Sequence, residues 1–125
     1  MASKRDKDPI DVTWEDQRSI CTFGRLHRRH QALIDLIKVK KQEVENLSDA
    51  SDECLIADEV AFVFGESFVH LNSDKGRDLV EERKGETERE LHDMLAEKEA
   101  LWAIMTKLKG ALYAKFGSQI YLEAE

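Results

Sequence analysis

The stretch Val60-Ala61-Phe62-Val63-Phe64-Gly65-Glu66-Ser67-Phe68-Val69-His70-Leu71 decides the fold. Two apolar runs flank Gly65-Glu66, and glycine at the first of two central positions suits a type II′ hairpin turn. Pairing outward from that turn sets Phe64 against Ser67, Val63 against Phe68, Phe62 against Val69 and Val60 against Leu71. One face of the ribbon then carries Val60, Phe62, Phe64, Val69 and Leu71, and the other carries Ala61, Val63 and Phe68. Both faces are apolar. An isolated hairpin is marginal in water and its open edges invite further strands. The ribbon is therefore expected to be completed by other chains, chiefly through Val60, Phe62, Val63, Phe68 and Val69.

On either side of the hairpin the apolar residues recur every three or four positions. Before it the series is Phe23, Leu26, His30, Leu33, Ile37, Lys40, Val44, Leu47, Ser51 and Cys54; after it, Val80, Lys84, Thr87, Leu91, Met94, Lys98, Leu101, Met105, Leu108, Leu112 and Lys115. Leu95 and Trp102 widen the second stripe. A seam this narrow is the signature of a coiled coil, not of a helix on a globular core. Thr13 is placed to cap the first helix, with Asp16 completing a short-armed capping box. The end of that helix, ENLSDASDECLIADE, carries six acids and no base. Negative charge is unfavourable at a helix C-terminus, so an early stop or fraying is expected there. Ser73 or Asp74 can cap the second helix, and Gly117 is a natural C′ residue for it.

The expected organisation is a flexible lead over 1–12 and a single domain over 13–125, with a helix over 13–57, the hairpin over 60–71, a helix over 74–116 and a tail over 117–125. The fold class is mainly α: a long antiparallel two-helix coiled coil connected by a β-hairpin. The first helix would run about 65 Å, and partner residue numbers are expected to sum to roughly 135. Both chain ends then reach one tip, where Trp14, Ile20, Phe23, Leu112, Tyr113, Phe116, Ile120, Tyr121 and Leu122 gather. That is more apolar surface than two helix ends need to cap each other.

Composition narrows the function. The 125 residues are 36% charged and 42% hydrophobic, with a mean hydropathy of -0.53 and one proline, which suits amphipathic helices. A net charge of -7 and a pI near 5.2 argue against nucleic acid or an anionic membrane as main partner. Arg25, Arg28 and Arg29 are the sole basic cluster to the contrary. No apolar run approaches the roughly 20 residues of a membrane span, and the start has no hydrophobic signal segment. Cys21 and Cys54 fall about 50 Å apart on one helix, beyond disulfide reach, which indicates a reduced, intracellular setting. No nucleophile motif, phosphate loop or metal spacing is present, and His27 and His30 find no third ligand on their turn. An enzyme is not expected, nor a cofactor.

The order helix, β-hairpin, helix with both ends at one tip resembles a β-type subunit of the prefoldin family. VTWEDQ at the start and LYAKFGSQIYLE at the end resemble more narrowly the fourth-subunit branch of the eukaryotic family, and the likeness covers roughly Asp11 to Glu125. The hairpin departs in detail. Ala61-Phe62-Val63-Phe64-Gly65-Glu66 stands where the family commonly has a Pro-Tyr pair before an Ile-Gly-Asp turn. The resemblance implies an ATP-independent co-chaperone, a heterohexamer of two α-type and four β-type subunits whose hairpins form a platform of barrels. It implies as partners the α-type and other β-type subunits, unfolded clients such as actin and tubulin, and the cytosolic chaperonin. It also implies a cytoplasmic location, with a nuclear presence left open; the charge balance already speaks against nucleic acid and membrane as partners.

Client contact is then expected at Trp14, Ile20, Phe23, Leu112, Phe116 and Tyr121, with the acidic surface favouring partners that carry basic patches. The rival reading is a structural coiled-coil adaptor that holds folded partners apart.

Overall fold

The computed structural model describes residues 10–122. Its elements are α1 (Trp14–Ile56), β1 (Glu59–Phe64), β2 (Ser67–Asn72) and α2 (Ser73–Phe116), followed by a short 3-10 turn at Gly117–Gln119. Two long helices joined by a two-stranded antiparallel hairpin is the fold class expected. Residues 1–9 of the expected lead over 1–12 and residues 123–125 of the expected tail over 117–125 lie outside the described residues. The chain divides into two compact units, Asp35–Leu95 around the hairpin and Met1–Ile34 with Ala96–Glu125 around the chain ends.

In the hairpin unit the strand register is the one the alternation dictates, from Glu59 opposite Asn72 to Phe64 opposite Ser67. Gly65 has φ 59, and no non-glycine residue among those described has positive φ, so Glu66 keeps negative φ. That combination is the type II′ pattern, whose twist suits the flanking strands. Only two residues separate α1 from β1, and none separates β2 from α2. The junction is closed by the Ser73 amide donating to the Asp58 carbonyl at 3.3 Å. Asn72, the last strand residue, caps α2 by accepting from the Lys75 amide at 2.9 Å. The expected caps, Ser73 and Asp74, lie inside the helix instead.

The acidic end of α1 does not stop early; it is helical to Ile56, one residue short of the expected boundary. Side-chain packing outweighs the unfavourable dipole there. Ser51 and Cys54 are buried, and the Ser51 hydroxyl donates to Glu81 Oε1 at 2.5 Å. Gly76, in the first turn of α2, is also buried. A Cβ at this position would overlap Val60 Cγ2 and touch Cys54 Sγ, so glycine is what lets the hairpin root close onto the helix.

In the unit of the chain ends the core is Phe23, Leu33, Met105, Leu112 and Phe116, with His30 buried among them. The capping box of α1 forms reciprocally: the Asp16 amide donates to Thr13 Oγ1 at 3.1 Å and the Thr13 amide to Asp16 Oδ2 at 3.0 Å. Cross-helix pairs fall a few residues earlier on α2 than the expected sum of 135. Arg29 meets Glu97 here, and in the hairpin unit Lys40 meets Glu90. The expected register assumed only that the hairpin reverses the chain. The observed one continues the strand pairing, because almost no loop intervenes to reset it.

Candidate functional surfaces

The assembly residues read from the sequence lie on the exposed ribbon. Val63 is 57% exposed, Phe68 68% and Val69 40%, while Val60 and Phe62 are half-buried. Among the described residues the sheet has two strands, β1 and β2. At the foot of the ribbon Leu55 and Ile56 are exposed as well.

The six residues expected at the tip separate into two groups. Phe23, Leu112 and Phe116 are buried and pack the helix ends together. Trp14 and Tyr121 are 70% and 72% exposed, and Ile20 is half-buried. Arg18 sits over the Trp14 ring, 5.5 Å from its centroid. Lys115 pairs with Asp16, and the hydrogen bond from Lys115 is the main reason the Asp16 carboxyl stays below its usual range. The segments that flank the helices bond back to the helix ends. The Ile10 amide donates to Gln119 Oε1 at 3.1 Å, and the Leu122 amide donates to the Tyr113 hydroxyl at 3.4 Å.

Beside this core lies a groove of about 360 Å³ lined by Phe23, Trp102, Met105, Thr106, Lys109, Gly110 and Tyr113. Trp102 is 54% exposed, and one of its sides rests on His30 with ring centroids 5.5 Å apart. Burial, with the charges of Lys98 and His27 adding to it, lowers the His30 pKa below the ordinary histidine value. Sequence reading placed Trp102 only as a widening of the seam. The available signal was the row Trp102, Thr106, Lys109 and Tyr113, a second stripe at helical spacing beside the buried one.

The two histidines weighed as ligands are used in packing. His27 stacks on Phe23 with ring centroids 6.1 Å apart, and His30 meets the Trp102 ring at a tilt of 33°. Among the described residues no group of three His, Cys, Asp or Glu is placed to hold a metal ion. No described helix is long and apolar enough to cross a membrane.

A hairpin with two apolar faces between seam-packed helices is the architecture of a prefoldin subunit, and the comparisons agree. Residues 17–119 match the family model described as Prefoldin subunit, and the chain belongs to the prefoldin family, whose members are non-enzymatic chaperone subunits. Within it, the chain is similar to human prefoldin subunit 4, at 33% identity over 98% of this chain and 94% of the human one. Probable prefoldin subunit 4 of Caenorhabditis elegans is 35% identical over 91% of this chain and 94% of its own length. Prefoldin subunit 4 of Saccharomyces cerevisiae is 30% identical, with 94% and 93% covered. Membership of the prefoldin complex, with a chaperone-type role and assembly with other prefoldin subunits, follows.

Proposed function

We propose that this chain is one of the β-type subunits of a cytoplasmic heterohexamer that captures unfolded proteins such as actin and tubulin, without ATP, and delivers them to the cytosolic chaperonin. The observation that supports capture is that Trp14, Trp102 and Tyr121 stay exposed although Phe23, Leu112 and Phe116 already close the helix ends. Surplus apolar surface of this kind suits transient, non-directional contact with the exposed hydrophobic groups of an unfolded chain. Trp14, Tyr121 and Ile20 would touch the client first. Phe23, Leu112 and Phe116 would form the floor that holds them in place. Several such surfaces in one complex would raise avidity while each contact remains reversible. Assembly would rest on Val60, Phe62, Val63, Phe68 and Val69, since a neighbour's strand can bury what the two-stranded ribbon leaves exposed.

The test is a complex reconstituted from this chain, α-type subunits and other β-type subunits. Native mass spectrometry should place the chain in a hexamer. Trp14→Ser with Tyr121→Ser should leave the hexamer intact while suppression of aggregation of denatured actin declines. Unchanged suppression would replace this reading with that of a structural adaptor.

A further inference from the structure

Charge is divided unevenly between the two units. Residues 35–95 hold eight Lys and Arg against seventeen Asp and Glu, whereas 10–34 with 96–122 hold eight against five. The acidic surface expected at the client contact therefore belongs to the hairpin unit. Within it, residues 49–82 carry ten acids, all exposed, against two cations, Lys75 and Arg77. Glu81 accepts from Ser51, and Glu59 lies 3.6 Å from His70. Among the described residues the other eight have no side-chain partner, and Lys75 and Arg77 pair with none of the ten.

These acids border the bare apolar surface. Asp49, Asp52, Glu53 and Asp58 stand at the C-terminal end of α1, whose last turn has no base to offset the negative end of the helix dipole. Among them Leu55 and Ile56 are 61% and 88% exposed. Glu66 puts the same charge in the hairpin turn, next to the exposed Val63 and Phe68. A two-fold pair of identical chains sets one patch against itself, so the acids of one copy would face those of the other. A partner bordered by cations gains where a second copy loses.

We propose that the acids around the ribbon keep the chain from pairing with a second copy of itself and select neighbours whose hairpins are bordered by lysine and arginine. This rests on the reading of the hairpin as the assembly element, and it names what the neighbouring subunits carry there. Apolar burial and strand pairing supply the attraction. Charge decides which of several similar ribbons is accepted.

The experiment uses the full chain and a variant with Lys in place of Asp49, Asp52, Glu53, Asp58 and Glu66. All five side chains are exposed, and cations suit the end of α1, so helical content by circular dichroism should be unchanged. At low salt, wild type mixed with the variant should form a pair in native mass spectrometry. That mixed pair should be about a hundredfold tighter than wild type with itself, from five exposed charge contacts of ordinary strength. The preference should shrink as salt screens it. A second variant with Asn or Gln at the same five positions should pair with itself more readily than wild type does. When wild type and the Lys variant compete for a limited amount of the other subunits, hexamers should contain wild type in about tenfold excess.

Tighter self-pairing of wild type than mixed pairing, no pairing in the mixture, or equal entry of the two chains into hexamers would overturn the proposal. Phe62→Ser with Phe68→Ser in the same reconstitution separates this failure from that of the assembly reading. If charge selection alone is absent, that variant still drops out of the hexamer; if the hairpin is not the assembly element, it enters as wild type does.

Discussion

The two units handle exposed apolar surface in opposite ways. The hairpin unit presents it on a ribbon whose hydrogen-bonding edges are open, and surrounds it with acids. The unit of the chain ends packs a closed core and leaves single aromatic rings, Trp14, Trp102 and Tyr121, standing on a surface with more cations than acids. A strand edge can be satisfied only by a partner in one register, which suits permanent assembly. Isolated rings around a groove accept many partners in many poses, which suits transient contact. One chain can therefore carry a specific interface and an unspecific one, provided that backbone pairing defines the first and side chains alone define the second.

Loss of the ribbon's apolar character should have the most severe consequence. Phe62→Asp with Phe68→Asp places a charge on each face, and the chain should then drop out of the complex in native mass spectrometry. The isolated chain should remain largely helical by circular dichroism, because neither helix core contains those residues. If assembly survives, the contrast between the two units fails at its root.

A smaller change tests the foot of the same ribbon. Gly76→Ala forces a Cβ into Val60 and should destabilise the chain by about 1–3 kcal/mol, as overpacking does. Thermal unfolding followed by circular dichroism reads this directly. An unchanged melting temperature would mean that the hairpin root can shift away from α2 at little cost.

The mildest effect concerns the other unit and depends on pH. Burial holds the His30 pKa below its ordinary 6.5, so the unfolded chain takes up the proton first. Stability is then unaffected above about pH 6.5 and falls as pH drops below it. Glu90 and Asp16, by contrast, have lowered carboxyl pKa values through hydrogen bonds to Lys40 and Lys115. Their contribution is fully present above the ordinary carboxylate range and is lost only as pH falls through their lowered values. His30→Leu should therefore flatten the change in melting temperature between about pH 7 and 5.5 and leave the steeper loss in stronger acid. If the slope between those values survives the substitution, another group is responsible.

The hairpin was legible residue by residue because a period of two and one glycine leave a single register open. The Thr13–Asp16 box was equally plain, since both partners are local. Asn72 was missed as a cap because three consecutive residues, Asn72, Ser73 and Asp74, share the required chemistry and only the backbone decides among them. At the chain ends the sequence identified an excess of apolar residues but not its partition. Phe23, Leu112 and Phe116 and the exposed Trp14 and Tyr121 look alike in a list, and only the rotation of each helix separates core from surface. Trp102 was overlooked for the same reason. A tryptophan next to a seam reads as packing until one side of it proves to be bare.

The direct passage of β2 into α2 has a consequence for how the chain can vary. With no residue between strand and helix, the two periodicities are geared together. One residue inserted into β2 would exchange the faces of the ribbon beyond it, or else turn α2 by about 100° against its seam. Neither can slip without the other. Tolerance of length change should therefore be confined to the Gly65-Glu66 turn and to the stretch beyond Gln119. Through the rest of the hairpin, descent with modification would proceed by exchange of side chains and not by gain or loss of residues.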